Sequence, residues 1–144
     1  MVIHREFDPE TALAAIDEEK VTGVWFAPVM TNMILNHPAR GDYNVSSLRW
    51  CIAGGERTPE TRIRAFGDLF NKARYIDAYG LTESFGGDTL MEAGMEIEKI
   101  GSTGRAIMHV ELEIRDEDGR TLPPNTDGEI SLRGPKITEG YWRD

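Results

Sequence analysis

Two stretches of the sequence combine residue types that can act on a phosphorylated ligand. The first is Gly54-Gly55-Glu56-Arg57, where paired glycines permit positive φ angles and close backbone approach to a flat molecule. The second runs from Tyr75 to Glu83. Its last five residues, Tyr79-Gly80-Leu81-Thr82-Glu83, offer an aromatic ring for stacking, a hydroxyl for a phosphate oxygen, and a carboxylate that is a hard oxygen ligand for Mg²⁺. Both stretches also have plainer readings. The glycine pair suits a tight strand-to-helix turn, and the second stretch suits a polar loop with Thr82 capping a helix and Glu83 in its first turn.

Ligands of open parallel α/β sheets bind just beyond the carboxyl ends of strands, so the next question is whether strands end at these residues. A helix is predicted first, with Asp8 as N-cap, Pro9 at its first position, and Leu13 and Ile16 as an apolar stripe. Val21 to Ala27 reads as a buried strand, and Pro28 opens a helix through Met30, Met33 and Ile34 that His37-Pro38 stops. Leu48 to Ala53 is a second strand running into the glycine pair. Thr58-Pro59-Glu60 then supplies an N-cap, a first-position proline and a first-turn acid for a helix whose Ile63, Phe66 and Phe70 share one face. A third strand, Arg74 to Ala78, ends at Tyr79-Gly80.

This alternation predicts an α/β fold, a parallel sheet with crossover helices, followed by short antiparallel strands. Glu111 to Arg115 and Gly128 to Arg133 alternate with period two around the turn signal Asp118-Gly119. The expected division is residues 1–93 as the parallel part carrying the site and 94–144 as the start of a small β-rich part.

Composition narrows the function classes. The chain has 144 residues, 16 Lys plus Arg against 25 Asp plus Glu, a net charge of −9 and one cysteine. That is one core's worth of chain. The acid excess, with no Lys/Arg cluster, argues against nucleic-acid binding, and any bound phosphate would need a cation or backbone N–H groups to offset carboxylate repulsion. No apolar run is long enough for a membrane span, and no signal peptide is expected. Lone Cys51 allows no disulfide within the chain, which predicts a reducing compartment, the cytoplasm; between Trp50 and Ile52 it reads as a small buried hydrophobe. His4, His37 and His109 lack metal-ligand spacing, and the acidic runs at 17–19 and 116–118 read as a solvated helix end and a turn.

Tyr79-Gly80-Leu81-Thr82-Glu83 resembles the Tyr-Gly-x-Thr-Glu signature of the adenylate-forming superfamily, which comprises acyl- and aryl-CoA synthetases, luciferases and peptide-synthetase adenylation domains. Gly54-Gly55-Glu56 lies where that family has its adenine-facing glycine loop, and Gly101-Ser102-Thr103-Gly104-Arg105 where it has a Gly-Ser-x-Gly turn. Gly128-Glu129-Ile130, Arg133-Gly134-Pro135 and Gly140-Tyr141-Trp142 are similar to its Gly-Glu-Ile, Arg-Gly-Pro and Gly-Tyr-Trp segment.

The resemblance implies an enzyme that activates a carboxylic acid with Mg-ATP to an acyl-adenylate and passes the acyl group to coenzyme A. It implies that Tyr79 stacks on adenine against Gly54 and Gly55, beside Glu56 and Gly80. Asp77 and the Ala78 carbonyl receive the exocyclic amino group, Thr82 binds the α-phosphate, and Glu83 holds Mg²⁺. Asp77 departs from the Asn or Gln of several members, and an ionised Asp can accept but not donate. Ile52, Gly55, Ala78, Gly80, Ser84, Phe85 and Gly86 are the implied acyl-pocket wall, whose small residues suit a fatty or aromatic acid.

The family's phosphate loop, ribose-binding aspartate and lysine-bearing C-terminal domain have no counterpart in these residues. The chain is therefore expected to be a middle slice of the large N-terminal domain, inactive alone, with exposed apolar surface that favours self-association. The alternatives are a peptide-synthetase-type adenylation domain and a non-catalytic scaffold.

Overall fold

The computed structural model describes residues 1–143. Helix α1 (Pro9–Glu18) starts as its sequence dictates: the Asp8 carboxylate accepts from the Thr11 amide at 2.7 Å and from its hydroxyl at 2.8 Å. Strand β1 (Gly23–Trp25) leads into α2 (Pro28–Leu35), β2 (Trp50–Gly54), α3 (Glu60–Leu69) and β3 (Arg74–Leu81). A 3-10 turn, Thr82–Ser84, reverses the chain into β4 (Gly86–Leu90), and β5 (Arg105–Ala106) follows. Strands β6 (Glu111–Arg115) and β7 (Glu129–Arg133) close the order.

The main sheet is mixed, in the order β1-β2-β3-β4-β5. β1, β2 and β3 are parallel, joined by crossover helices, whereas β4 and β5 run antiparallel. β6 and β7 form a separate antiparallel pair, with Leu112 opposite Leu132 and Ile114 opposite Ile130. Arg105–Ala106 thus joins the same sheet as the parallel strands, although it comes from the later part of the chain.

Pairing of β2 with β3 sets the faces. Cys51 is opposite Tyr75 and Ala53 opposite Asp77, and all four are buried, while Ile52, Ile76, Gly54 and Ala78 point to the other face. The core lies on the first face, where Leu13, Ile16, Ile34, Ile63, Phe66 and Phe70 from the helices meet Cys51, Ala53 and Tyr75. Phe66 stacks tilted on Phe70 at 4.7 Å between centroids and edge-on to Tyr75 at 5.1 Å. The other face is partly covered: Ile52, Gly54, Ile76 and Ala78 are half-buried, while Trp25 and Trp50 stand 61% and 41% exposed on it. Trp50 lies over Gly23, where any side chain would collide with the indole.

The structure corrects the expected elements in three places. The strand expected over Val21 to Ala27 is confined to Gly23–Trp25 and is not buried, because it pairs on one side only. The third strand does not end at Ala78 but continues to Leu81, since Gly80 and Leu81 pair with Gly87 and Gly86 across a bulge at Tyr79 and Gly80. Thr58 is not the cap of α3: Pro59 occupies that position without a side-chain bond, and Thr58 turns inward to Asp77.

Phe66→Ala is expected to lower unfolding free energy by about 3–5 kcal/mol in urea denaturation, since it removes a 1%-exposed ring from this cluster. Cys51 is fully buried, and desolvation pushes its thiol up to about 12. A thiol reagent at pH 8 should therefore leave native protein unlabelled and label it in urea.

Candidate functional site

The carboxyl end of β2 lies beside Ala78 of β3. Their last paired couple is Gly54 with Ala78; Gly55 follows the end of β2, and Tyr79 is the next residue of β3, which runs on to Leu81. A Cβ on Gly54 would sit 2.6 Å from the Ala78 carbonyl oxygen, so the close approach of the strands at this level requires glycine. Gly55 adopts φ +100°, and the space its missing side chain would occupy is open.

Glu56 and Arg57 extend this rim in two directions. The Glu56 carboxylate takes the Arg62 guanidinium at 2.9 Å, and Arg62 also donates to Asn32 Oδ1 at 2.8 Å, which ties the loop to α2 and α3. The Arg57 guanidinium lies 3.2 Å from the position a Gly101 Cβ would take. The Gly101-Ser102-Thr103-Gly104 turn therefore sits beside the glycine loop. Its other side meets β4: Thr89 donates its hydroxyl proton to Thr103 Oγ1 at 2.9 Å, and Gly104 is packed against the Leu90 carbonyl too closely for any side chain.

Asp77 is buried behind this rim and accepts the Thr58 hydroxyl at 2.6 Å. Desolvation raises its pKa, opposed by that hydrogen bond and by the charge of Arg62. One carboxylate oxygen is thus committed to the protein. Tyr79 is half-buried at the strand exit.

Thr82 and Glu83 are both exposed on the 3-10 turn, next to one another. Glu83 Oε1 accepts the Tyr141 hydroxyl at 2.9 Å, and its pKa is lowered by its own backbone N–H and by that hydroxyl. Among the described residues no group of three or more His, Cys, Asp or Glu could hold a metal ion. An ion here would have one protein carboxylate and would draw its remaining oxygens from phosphates and water, a donor set that suits Mg²⁺.

The residues assigned to an acyl wall separate. Ile52 and Ala78 face the less covered side of the sheet, whereas Gly55 lies at its rim. Gly80 cannot carry a side chain, because a Cβ would fall 2.1 Å from the Gly86 carbonyl oxygen. Phe85 and Gly86 are exposed, with Phe85 at φ +54°, a left-handed conformation uncommon for an aromatic residue. Ser84 is buried, its hydroxyl donated to the Asp88 carboxylate. A cavity lined by Ile3, Phe7, Ile16 and Met30 lies elsewhere, between the N-terminal segment, α1, β1 and the start of α2. Apart from the buried Asp77 and Ser84, the candidate residues lie at an open surface.

Sequence reasoning missed Thr58, Asp88 and Lys136. Thr58 was hidden by the competing helix-cap pattern of Thr-Pro-Glu, and the pair of Asp88 with Lys136 carries no local signal because 48 positions separate its members.

Comparison with known proteins adds the following. A family model described as AMP-binding enzyme matches residues 1–142. A feruloyl-CoA synthase of an Amycolatopsis species is 32% identical over 142 residues, covering 99% of this chain and 28% of the relative. Among solved structures, the N-terminal domain of FACL13 from Mycobacterium tuberculosis superposes with a TM-score of 0.88 at 28% identity, covering 98% of this chain and 35% of that one. The amide bond synthetase McbA from Marinactinospora thermotolerans gives a TM-score of 0.87 at 34% identity, over 98% of this chain and 28% of that one. The chain spans 28% of the length of several of the curated relatives it matches.

Asp77 gives a test of this geometry that needs no ligand. Its folded-state pKa lies above the ordinary 3.8, so the native state holds the extra proton and stability falls as pH rises through that raised value. Asp77→Asn keeps an oxygen for Thr58 and removes the charge. The urea midpoint at pH 7 is expected to rise, and the loss of stability between the ordinary and the raised pKa to shrink.

Proposed function

The chain belongs to the AMP-binding enzyme family, and from that premise we propose that it supplies the adenine and α-phosphate side of an AMP-forming acyl-CoA ligase. The observation that carries this reading is the meeting of four motifs, far apart in sequence, around one strand end. Gly54-Gly55-Glu56, the Tyr79–Glu83 stretch, the 101–104 turn and the 134–141 segment are joined by Arg57 beside Gly101, Thr89 on Thr103, and Tyr141 on Glu83.

In this reading the adenine ring stacks on Tyr79 over the open space at Gly55. The Ala78 carbonyl and the second oxygen of Asp77 accept from its amino group. The Thr82 hydroxyl donates to the α-phosphate. Glu83 supplies the one protein carboxylate to Mg²⁺, which when bound neutralises charge on the phosphates. A substrate carboxylate oxygen then attacks the α-phosphorus as the bond to pyrophosphate breaks, giving an acyl-adenylate, and coenzyme A displaces AMP. A feruloyl-CoA synthase among the relatives favours an aromatic acid, with Ile52, Ala78, Gly80, Phe85 and Gly86 at the wall.

Glu83 has a second task before any ion arrives. Its own backbone N–H and then the Tyr141 hydroxyl hold the carboxyl below the usual range, which favours the charged form an ion would meet.

A second acceptor is favoured by one observation, the 34% identity to an amide bond synthetase, which would make the acyl acceptor an amine. Supplying coenzyme A or an amine to the preformed acyl-adenylate distinguishes the two by product.

The direct test is ATP–pyrophosphate exchange by the protein that carries this chain, with aromatic and fatty acids as substrates. Glu83→Gln is expected to lower the exchange rate about 100-fold or more and to weaken its magnesium dependence. An unchanged rate and magnesium dependence would remove Glu83 from the site. Calorimetric titration of the 144-residue chain with AMP and with Mg-ATP separates nucleotide binding from a scaffold role, for which neither gives heat.

A further inference from the structure

The segment after β7 is fastened to the Thr82–Ser84 turn at several points. It leaves the sheet through Gly134, where a Cβ would lie 2.2 Å from the His109 carbonyl oxygen, so the chain hugs the neighbouring loop. Lys136 Nζ then lies 2.8 Å from Asp88 Oδ1 and donates to the Gly87 carbonyl at 2.5 Å. Further on, the Thr138 amide donates to the Glu83 carbonyl at 2.8 Å.

Asp88 is the centre of this arrangement. It is fully buried, and a buried carboxylate needs both a cation and hydrogen-bond donors to remain ionised. Lys136 provides the cation to one oxygen, and Ser84 donates its proton to the other. Ser84 Oγ also lies near the carbonyls of Leu81 and Gly86, but it has one proton, and the charged oxygen is the strongest acceptor. With its proton so directed, the Ser84 oxygen is free to accept the Leu81 amide at 3.2 Å. The relay runs from Lys136 through Asp88 and Ser84 to Leu81, the last residue of β3, which leads into the turn that carries Thr82 and Glu83.

We propose that Lys136 is a positioning residue: by way of Asp88 and Ser84 it fixes the Thr82–Ser84 turn in the shape that offers the Thr82 hydroxyl and Glu83 carboxylate to a nucleotide's phosphates. The proposal rests on the nucleotide reading above for what the turn binds. Lys136 is not itself a phosphate ligand, because its ammonium is spent on Asp88 and the Gly87 carbonyl.

The test compares Lys136→Arg with the double variant Asp88→Asn/Lys136→Met. Losing lysine alone would strand a buried carboxylate, whereas the double variant removes both charges and keeps the fold measurable. Amide hydrogen exchange is followed in the 144-residue chain without nucleotide. In the double variant, exchange at Leu81, Phe85 and Thr138 is expected to quicken about tenfold or more, while Ile52 and Ile76 keep wild-type rates. Lys136→Arg should stay within about threefold of wild type at all of them. Equal quickening at Ile52 and Ile76, or none at the turn, overturns the proposal.

In the protein that carries the chain, the double variant is expected to lower kcat of ATP–pyrophosphate exchange about tenfold or more, with the KM for ATP within about threefold, since Gly55 and Tyr79 are untouched. Unchanged kcat overturns the positioning role. If the wild-type protein shows no exchange while the turn still loosens locally, the nucleotide reading fails and the fastening itself stands. The two therefore fail separately.

Discussion

Everything at this surface depends on β3 being paired differently along its two edges. Its parallel pairing with β2 stops at Gly54 and Ala78, while its antiparallel pairing with β4 carries it on to Leu81 and forces the chain to turn back within three residues. A strand that emerged freely would leave Thr82 and Glu83 on a floppy loop. Because β4 returns at once, the turn is short, closed by the Phe85 amide on the Thr82 carbonyl and held from outside by the Thr138 amide on the Glu83 carbonyl, and both polar side chains are left exposed. The same alternation that buries Tyr75 and Asp77 brings Tyr79 to the exit, so burial and presentation follow from one periodicity.

The balance of charge follows the same plan. The chain carries nine more acids than bases, yet its deeply buried acids are matched individually: Asp77 by the Thr58 hydroxyl with Arg62 nearby, and Asp88 by Lys136 and Ser84. Glu56 occupies Arg62 in turn. Those partners are committed to holding loops in place. A phosphate brought to this rim would meet the exposed Arg57 guanidinium beside Gly101, the Thr82 hydroxyl and whatever cation arrives with it.

Much of this was legible beforehand, and the exceptions share a cause. α1 was marked by a cap and a proline, the face of α3 by the spacing of Ile63, Phe66 and Phe70, and β6 and β7 by strict alternation. The motifs stand out in the sequence because their distinctive residue types are concentrated in a few consecutive positions. β4 was not, since Gly-Gly-Asp-Thr-Leu has no strand-like composition and is extended only because β3 offers it a partner. Thr58 was misread because a helix cap and a buried hydrogen bond compete for one hydroxyl, and only the position of Asp77 decides between them. Lys136 was illegible for a simpler reason: nothing near it in the chain announces a buried acid.

The placement of the aromatic residues has an optical consequence. All three tryptophans are exposed, Trp25 and Trp50 on the less covered face of the sheet and Trp142 at 87% one residue beyond Tyr141, while the aromatic residues of the core are Phe and Tyr. Indole emission from this chain will therefore be that of solvated rings even in the native state, and it will say little about whether the core is intact. What it will report is cover: a molecule settling over the sheet shifts Trp25 and Trp50 to the blue, and one settling beside Glu83 shifts Trp142. Selective replacement of one set by Phe would let the two surfaces be watched independently.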